Sequence, residues 1–78
     1  MPTLLLEKGF KFFFYANEHE PKHVHVVKGD AYAKIELYYG LRVVKYYMKQ
    51  KDLKAAISLL EIHKDEFERQ WDDYFSER

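Results

Sequence analysis

The chain has no cysteine. Disulfides and thiolate metal sites are thereby excluded, and a reducing cytoplasmic setting is expected. Serine and threonine are scarce, at Thr3, Ser58 and Ser76, so the usual nucleophile arrangements have no support. The glycines stand apart at 9, 29 and 40 and form no nucleotide-binding loop. Long apolar runs are missing too. The opening "MPTLLLEKGFKFFFYA" is interrupted by Glu7, Lys8 and Lys11, and no small-residue cleavage site follows. It reads as neither a signal peptide nor a membrane span. No repeat, low-complexity tract or linker divides the 78 residues, so a single domain over 1–78 is expected.

Hydrophobic residues make up 47% of the chain and aromatics 18%, which is rich enough for a folded core. The net charge is zero but unevenly spread. Residues 1–54 hold ten Lys/Arg against six Asp/Glu, a net +4, and residues 55–78 hold three against seven, a net −4. A basic front is compatible with an anionic partner. The plainer explanation is two solvated faces that attract each other within the fold.

The first half alternates with the period of strands, over about residues 3–48. In "FKFFFYA", Phe10, Phe12 and Phe14 share one face and Lys11, Phe13 and Tyr15 the other. The polar loop "NEHEPK" ends at a proline, and "HVHVV", a "KGD" turn, "AYAKIELYY" and "LRVVKYYM" follow. From about residue 51 the apolar residues change to helical spacing, at Leu53, Ala56, Ile57, Leu60, Phe67, Trp71 and Tyr74. Lys64 breaks that stripe. One long helix over about 51–75 is expected, with a bend near His63 as the alternative. A helix of that length reaches roughly 37 Å, so its far end is expected to extend towards a second subunit, and a homodimer is compatible. The fold class is α+β: an antiparallel sheet of four to five strands with a long C-terminal helix on one face.

Three of the four histidines, His19, His23 and His25, lie in "NEHEPKHVHV". Alternation puts Val24 and Val26 towards the core and displays His23 and His25 on the opposite face. If the "KGD" hairpin forms, that face also carries Tyr32, Lys34, Glu36 and Tyr38. His19 lies on the loop, between Glu18 and Glu20.

Three readings of this cluster stand together. It can be ordinary strand surface chemistry, with tyrosines packing across strands. It can be a general acid–base pair, since histidine titrates near neutrality and two on one face can divide the labour. Cleavage of RNA needs such a pair and no metal. Lys34 would then offset phosphate charge, with Tyr32 and Tyr38 stacking bases and His19 and Glu36 lining the substrate site. Lastly, it can be a metal site for zinc or a similar transition ion, with His23 and His25 as ligands. His19 or a carboxylate such as Glu18, Glu20 or Glu36 would be the third. Tyr46 and Tyr47 read as strand packing, and Trp71 with Phe67, Tyr74 and Phe75 as core or subunit interface.

"GFKFFFYANEHEPKHVHV" resembles the opening of a small bacterial family, domain of unknown function 4160, with its aromatic "F-F-F-Y" strand and "H-x-P-x-H-V-H-V" segment. "AKIEL" resembles that family's following strand, and "ERQWDDYF" its closing helix. "YYGLRVVKYYMKQ" departs from the pattern, where a Gly-rich approach to the helix is more common. The resemblance implies a bacterial, cytoplasmic, stand-alone domain, often paired with another small gene in a toxin–antitoxin-like arrangement. It implies His19, His23 and His25 as characteristic residues, and an antitoxin-like protein partner. The leading expectation is therefore a toxin-like component acting on RNA, a metal-independent endoribonuclease using His23, His25 and Lys34, with no cofactor. The alternatives are a non-enzymatic interaction module and a His-ligated metal protein.

Overall fold

The computed structural model describes residues 3–37 and 40–76. The alternating first half forms five strands: β1 (Thr3–Glu7), β2 (Phe10–Phe13), β3 (His23–Lys28), β4 (Ala31–Glu36) and β5 (Arg42–Tyr47). Each pairs antiparallel with the next, in the sheet order β1-β2-β3-β4-β5. One helix, α1 (Gln50–Phe75), follows. The fold is α+β, with its helix on one face of an antiparallel sheet.

Short turns allow this simple order. Lys8 and Gly9 join β1 to β2 with φ of 55° and 83°, the pair of positive values that a tight hairpin turn of type I′ requires. A Cβ added at Gly9 would lie 3.4 Å from Cε of Lys28, the end of a flexible side chain that can yield. The backbone therefore sets the cost. Gly9→Ala is expected to lose about 1–2 kcal/mol, seen as an earlier urea midpoint with an unchanged slope.

The core lies between one sheet face and α1. Across the strands run Leu5, Phe12, Val26, Ala33 and Tyr46, then Val24, Ile35 and Val43. Phe12, Val24, Val26, Ala33 and Ile35 are fully buried. The helix supplies Leu53, Ala56, Leu59, Leu60, Phe67 and Trp71. Lys64 does not end the stripe, and the helix continues unbroken through it. His63, one residue earlier, fills the gap between Leu60 and Phe67 and stacks on the Phe67 ring at 5.7 Å.

The far end of α1 is occupied within the chain. Trp71 is 1% exposed. Its ring lies 5.4 Å from that of Phe14, 4.4 Å from Phe75 and 5.2 Å from His23. Its indole N–H donates to Glu20 Oε2 at 3.3 Å. Lys22 adds an ion pair with Asp72 at 2.9 Å. The loop between β2 and β3 is thus tied to the last turns of the helix, which positions the histidine segment.

Candidate functional site

Register decides which side chains share the second sheet face. Three rows of directly opposed residues cross it. The first is Leu6, Lys11, Val27, Tyr32 and Tyr47. The second is Phe13, His25, Lys34 and Lys45, and the third is His23, Glu36 and Arg42. His23, His25, Tyr32, Lys34 and Glu36 therefore stand on one face, opposite Val24 and Val26. Tyr38 lies outside the described residues.

The expected display of the two imidazoles needs correction. His23 is 4% exposed and His25 5%. Strand alternation fixes the direction of a side chain, not what covers it. Here the residues after β2 fold back over the face. The His25 ring packs against Phe13 at 5.4 Å and Tyr15 at 4.8 Å, and the His23 ring sits edge-on to His25 at 5.2 Å.

The centre of the cluster is Glu18. Its Oε1 lies 2.9 Å from His23 Nε2, and its Oε2 lies 2.5 Å from His25 Nε2. The backbone N–H of Tyr15 also donates to Oε2, at 3.0 Å, which holds the loop in its turn. Each imidazole is anchored at its other nitrogen. His23 Nδ1 donates to the carbonyl of Pro21 at 2.8 Å. His25 Nδ1 is 2.8 Å from the Tyr32 hydroxyl. Both Nε2 atoms therefore converge on one carboxylate.

The two contacts with Glu18 differ. His25 Nε2 is placed to donate to Oε2. The approach of His23 Nε2 to Oε1 is close but is not aligned as a hydrogen bond, and this buried nitrogen has no hydrogen-bond partner among the described residues. Burial alone would raise the Glu18 carboxyl's pKa. The hydrogen bonds from the Tyr15 N–H and His25, with the His23 imidazole close by, reverse this and hold it below the usual carboxylate range. Burial pushes His25 below the usual histidine range, against the pull of Glu18. Burial also raises the Tyr32 hydroxyl. His25 is thus favoured in its neutral form, able to accept from Tyr32 while donating to Glu18.

The remaining expected site residues are spread around this cluster. His19 is exposed on the loop and does not join it. With Glu18, Glu20, Trp71 and Phe75 it lines a cavity of about 310 Å³ that opens beside Glu18. Lys34 stands directly across from His25. Glu36, across from His23 in the sheet, is paired with Arg42 at 3.0 Å. Among the described residues, the set able to hold a metal ion is Glu18, His23 and His25, with ligand atoms within 4.8 Å of one another. His19 is not in that set. Two roles were missed in the sequence: Glu18 as the centre, and Tyr32 as the anchor of His25. Glu18 was one of three carboxylates in reach, with no periodicity to select it.

Tyr47 was expected to pack in the sheet, yet it is 70% exposed. It stands at the end of its row, on the open edge strand β5. No helix among the described residues is long and apolar enough to cross a membrane.

A family model described as a domain of unknown function (DUF4160) matches residues 9–72, which include both hairpins that carry the site and most of α1. Neither the curated proteins nor the solved structures hold a match to the chain.

Proposed function

We propose, for a chain that belongs to the domain of unknown function family DUF4160, that its outward sheet face binds single-stranded RNA. In this reading the protein is the toxin-like component of a cytoplasmic pair, restrained by a small antitoxin-like protein. The observation that carries it is the composition of the outward rows. They hold Lys11, Lys34, Lys45 and Arg42 against one acid, Glu36, which Arg42 already engages. Tyr32 and Tyr47 stand opposite each other among these cations, and Lys45 Nζ lies 5.9 Å from the Tyr32 ring centre. Cations along a groove or face hold phosphates, and aromatic rings beside them stack bases without sequence preference.

The suited chemistry is attack of an RNA 2′-hydroxyl on its neighbouring phosphorus with departure of the 5′-oxygen. One group takes the hydroxyl proton and another supplies the leaving oxygen with one. The buried histidines do not meet substrate directly. His25 communicates with the face through the Tyr32 hydroxyl, and Glu18 orients it from behind. Lys34, beside His25, offsets phosphate charge.

The test is fluorescence anisotropy of a labelled single-stranded RNA over a salt series. A log–log salt slope approaching about −3 is expected if four phosphates are neutralised, at about −0.7 each. Lys34→Glu with Lys45→Glu is expected to weaken binding about 10-fold or more. Lys51→Glu with Lys54→Glu, on the exposed side of α1, is expected to change it little. Equal effects from the two pairs, or no binding at low salt, would remove RNA from the reading. Growth arrest with RNA decay on induced expression, relieved by the first pair only, would support the toxin-like role.

A further inference from the structure

The conflict at His23 has a chemical solution that proton transfer to RNA does not require. The Pro21 carbonyl can only accept, so His23 Nδ1 carries a hydrogen. In a neutral imidazole, Nε2 is then a bare lone pair. It is buried, has no hydrogen-bond partner among the described residues, and lies 2.9 Å from a carboxylate oxygen. Two acceptors pressed together in a buried place are unfavourable unless a cation lies between them.

We infer that Glu18, His23 and His25 form a binding site for one divalent transition-metal ion, zinc or a chemically similar metal. Both imidazoles would bind through Nε2, and the Glu18 carboxylate would complete the protein ligands. Four features support this. The three ligand atoms already lie within 4.8 Å of one another. Ligand atoms on one tetrahedral zinc stand about 3.4 Å apart, given bonds near 2.1 Å. The present contacts of 2.5 and 2.9 Å therefore need to open by less than about 1 Å. Glu18 is the most exposed of the three, and it borders the cavity beside Trp71, which gives an ion a way in.

The fourth feature is the outer support. Metal-bound histidines nearly always fix their second nitrogen on a carbonyl, carboxylate or other acceptor, which sets the tautomer and the ring direction. Both histidines here are held that way, His23 on the Pro21 carbonyl and His25 on the Tyr32 oxygen. With a metal on Nε2, His25 would donate from Nδ1 to Tyr32, reversing the sense of that bond. Two imidazoles and a carboxylate leave a coordination position for water or substrate, the pattern of reactive zinc sites as opposed to closed structural ones. The inference is independent of RNA binding, since either property can exist without the other.

The experiment uses the full chain purified without a histidine tag and stripped with a chelator. Zn2+ is titrated by calorimetry, and Co2+ by its visible absorption. Saturation at one ion per chain is expected, with Co2+ bands characteristic of nitrogen and oxygen ligands. Glu18→Gln and His23→Ala are each expected to weaken Zn2+ binding by more than about 100-fold, beyond the 10- to 100-fold typical of an outer partner. Tyr32→Phe is expected to fall within that range, and His19→Ala to bind as the wild type does. Glu18→Gln is nearly isosteric, so it carries the test if His23→Ala does not fold. Folded wild-type protein that fails to saturate at one equivalent overturns the inference and leaves only a proton in the cluster. Binding that survives Glu18→Gln, or is lost in His19→Ala, overturns it as well.

Discussion

Trp71→Ala is expected to destabilise the protein by about 3–5 kcal/mol, the range for removing a large buried aromatic ring. A domain of this size has only roughly 4–12 kcal/mol in all. The substitution should therefore take away a large share of the stability. Thermal unfolding should fall by about 4–8 °C for each kcal/mol lost. The reason for so large an effect is position. Trp71 joins three parts of the molecule: Phe14 after β2, His23 at the start of β3, and Phe75 in its own helix. The neighbouring Tyr74 is already engaged with Phe14, edge-to-face at 5.4 Å, and would have to leave that contact to fill the space. Trp71→Phe keeps an aromatic ring and gives up the indole N–H to Glu20, a partly exposed contact of 3.3 Å. It should cost much less. Equal losses in the two variants would place the energy in that hydrogen bond and not in packing.

This tryptophan also marks the limit of reading the site from sequence. Strand alternation was legible: Val24 and Val26 face the helix, and His23 and His25 face away with Lys34 and Glu36. The helical period was legible as well, and α1 runs from Gln50 to Phe75 as one element. Both follow from local geometry that repeats every two residues or every 3.6. Burial of the histidines does not follow from any such repeat. It depends on a loop without periodicity, held by Lys22 and Glu20 to helix residues about fifty positions later. The choice of Glu18 over Glu20 as the inward carboxylate rests on one turn, closed by the Tyr15 N–H. Glu20 is turned instead to Trp71. Similarly, His63 marks the place of the alternative bend beside the break at Lys64, but the ring of Phe67 gives it a place in the packing of a continuous helix.

Glu18→Ala is expected to destabilise the metal-free protein by about 1–3 kcal/mol, the cost of leaving a buried donor without its acceptor. Two donors lose their partner at once, His25 Nε2–H and the Tyr15 N–H, and the loop loses its attachment to β3. Glu18→Gln separates this loss from the conflict at His23. A glutamine carbonyl oxygen in place of Oε2 would still accept from both donors. Its amide nitrogen, in place of Oε1, would bring a donor instead of an acceptor next to His23 Nε2, now 2.9 Å from a carboxylate oxygen. The contact between two acceptors in the neutral cluster would then be removed. Glu18→Gln should therefore match or exceed the wild type in metal-free stability, measured by urea unfolding in chelator at pH 7.5. A glutamine variant that loses as much as the alanine variant would mean that His23 carries two protons opposite Glu18, and that the pair is held as an ion pair. A stabilised glutamine variant would show that the wild type keeps a carboxylate there against the preference of the folded chain. Retaining an anion at a cost in stability is the pattern of a residue kept for what it binds.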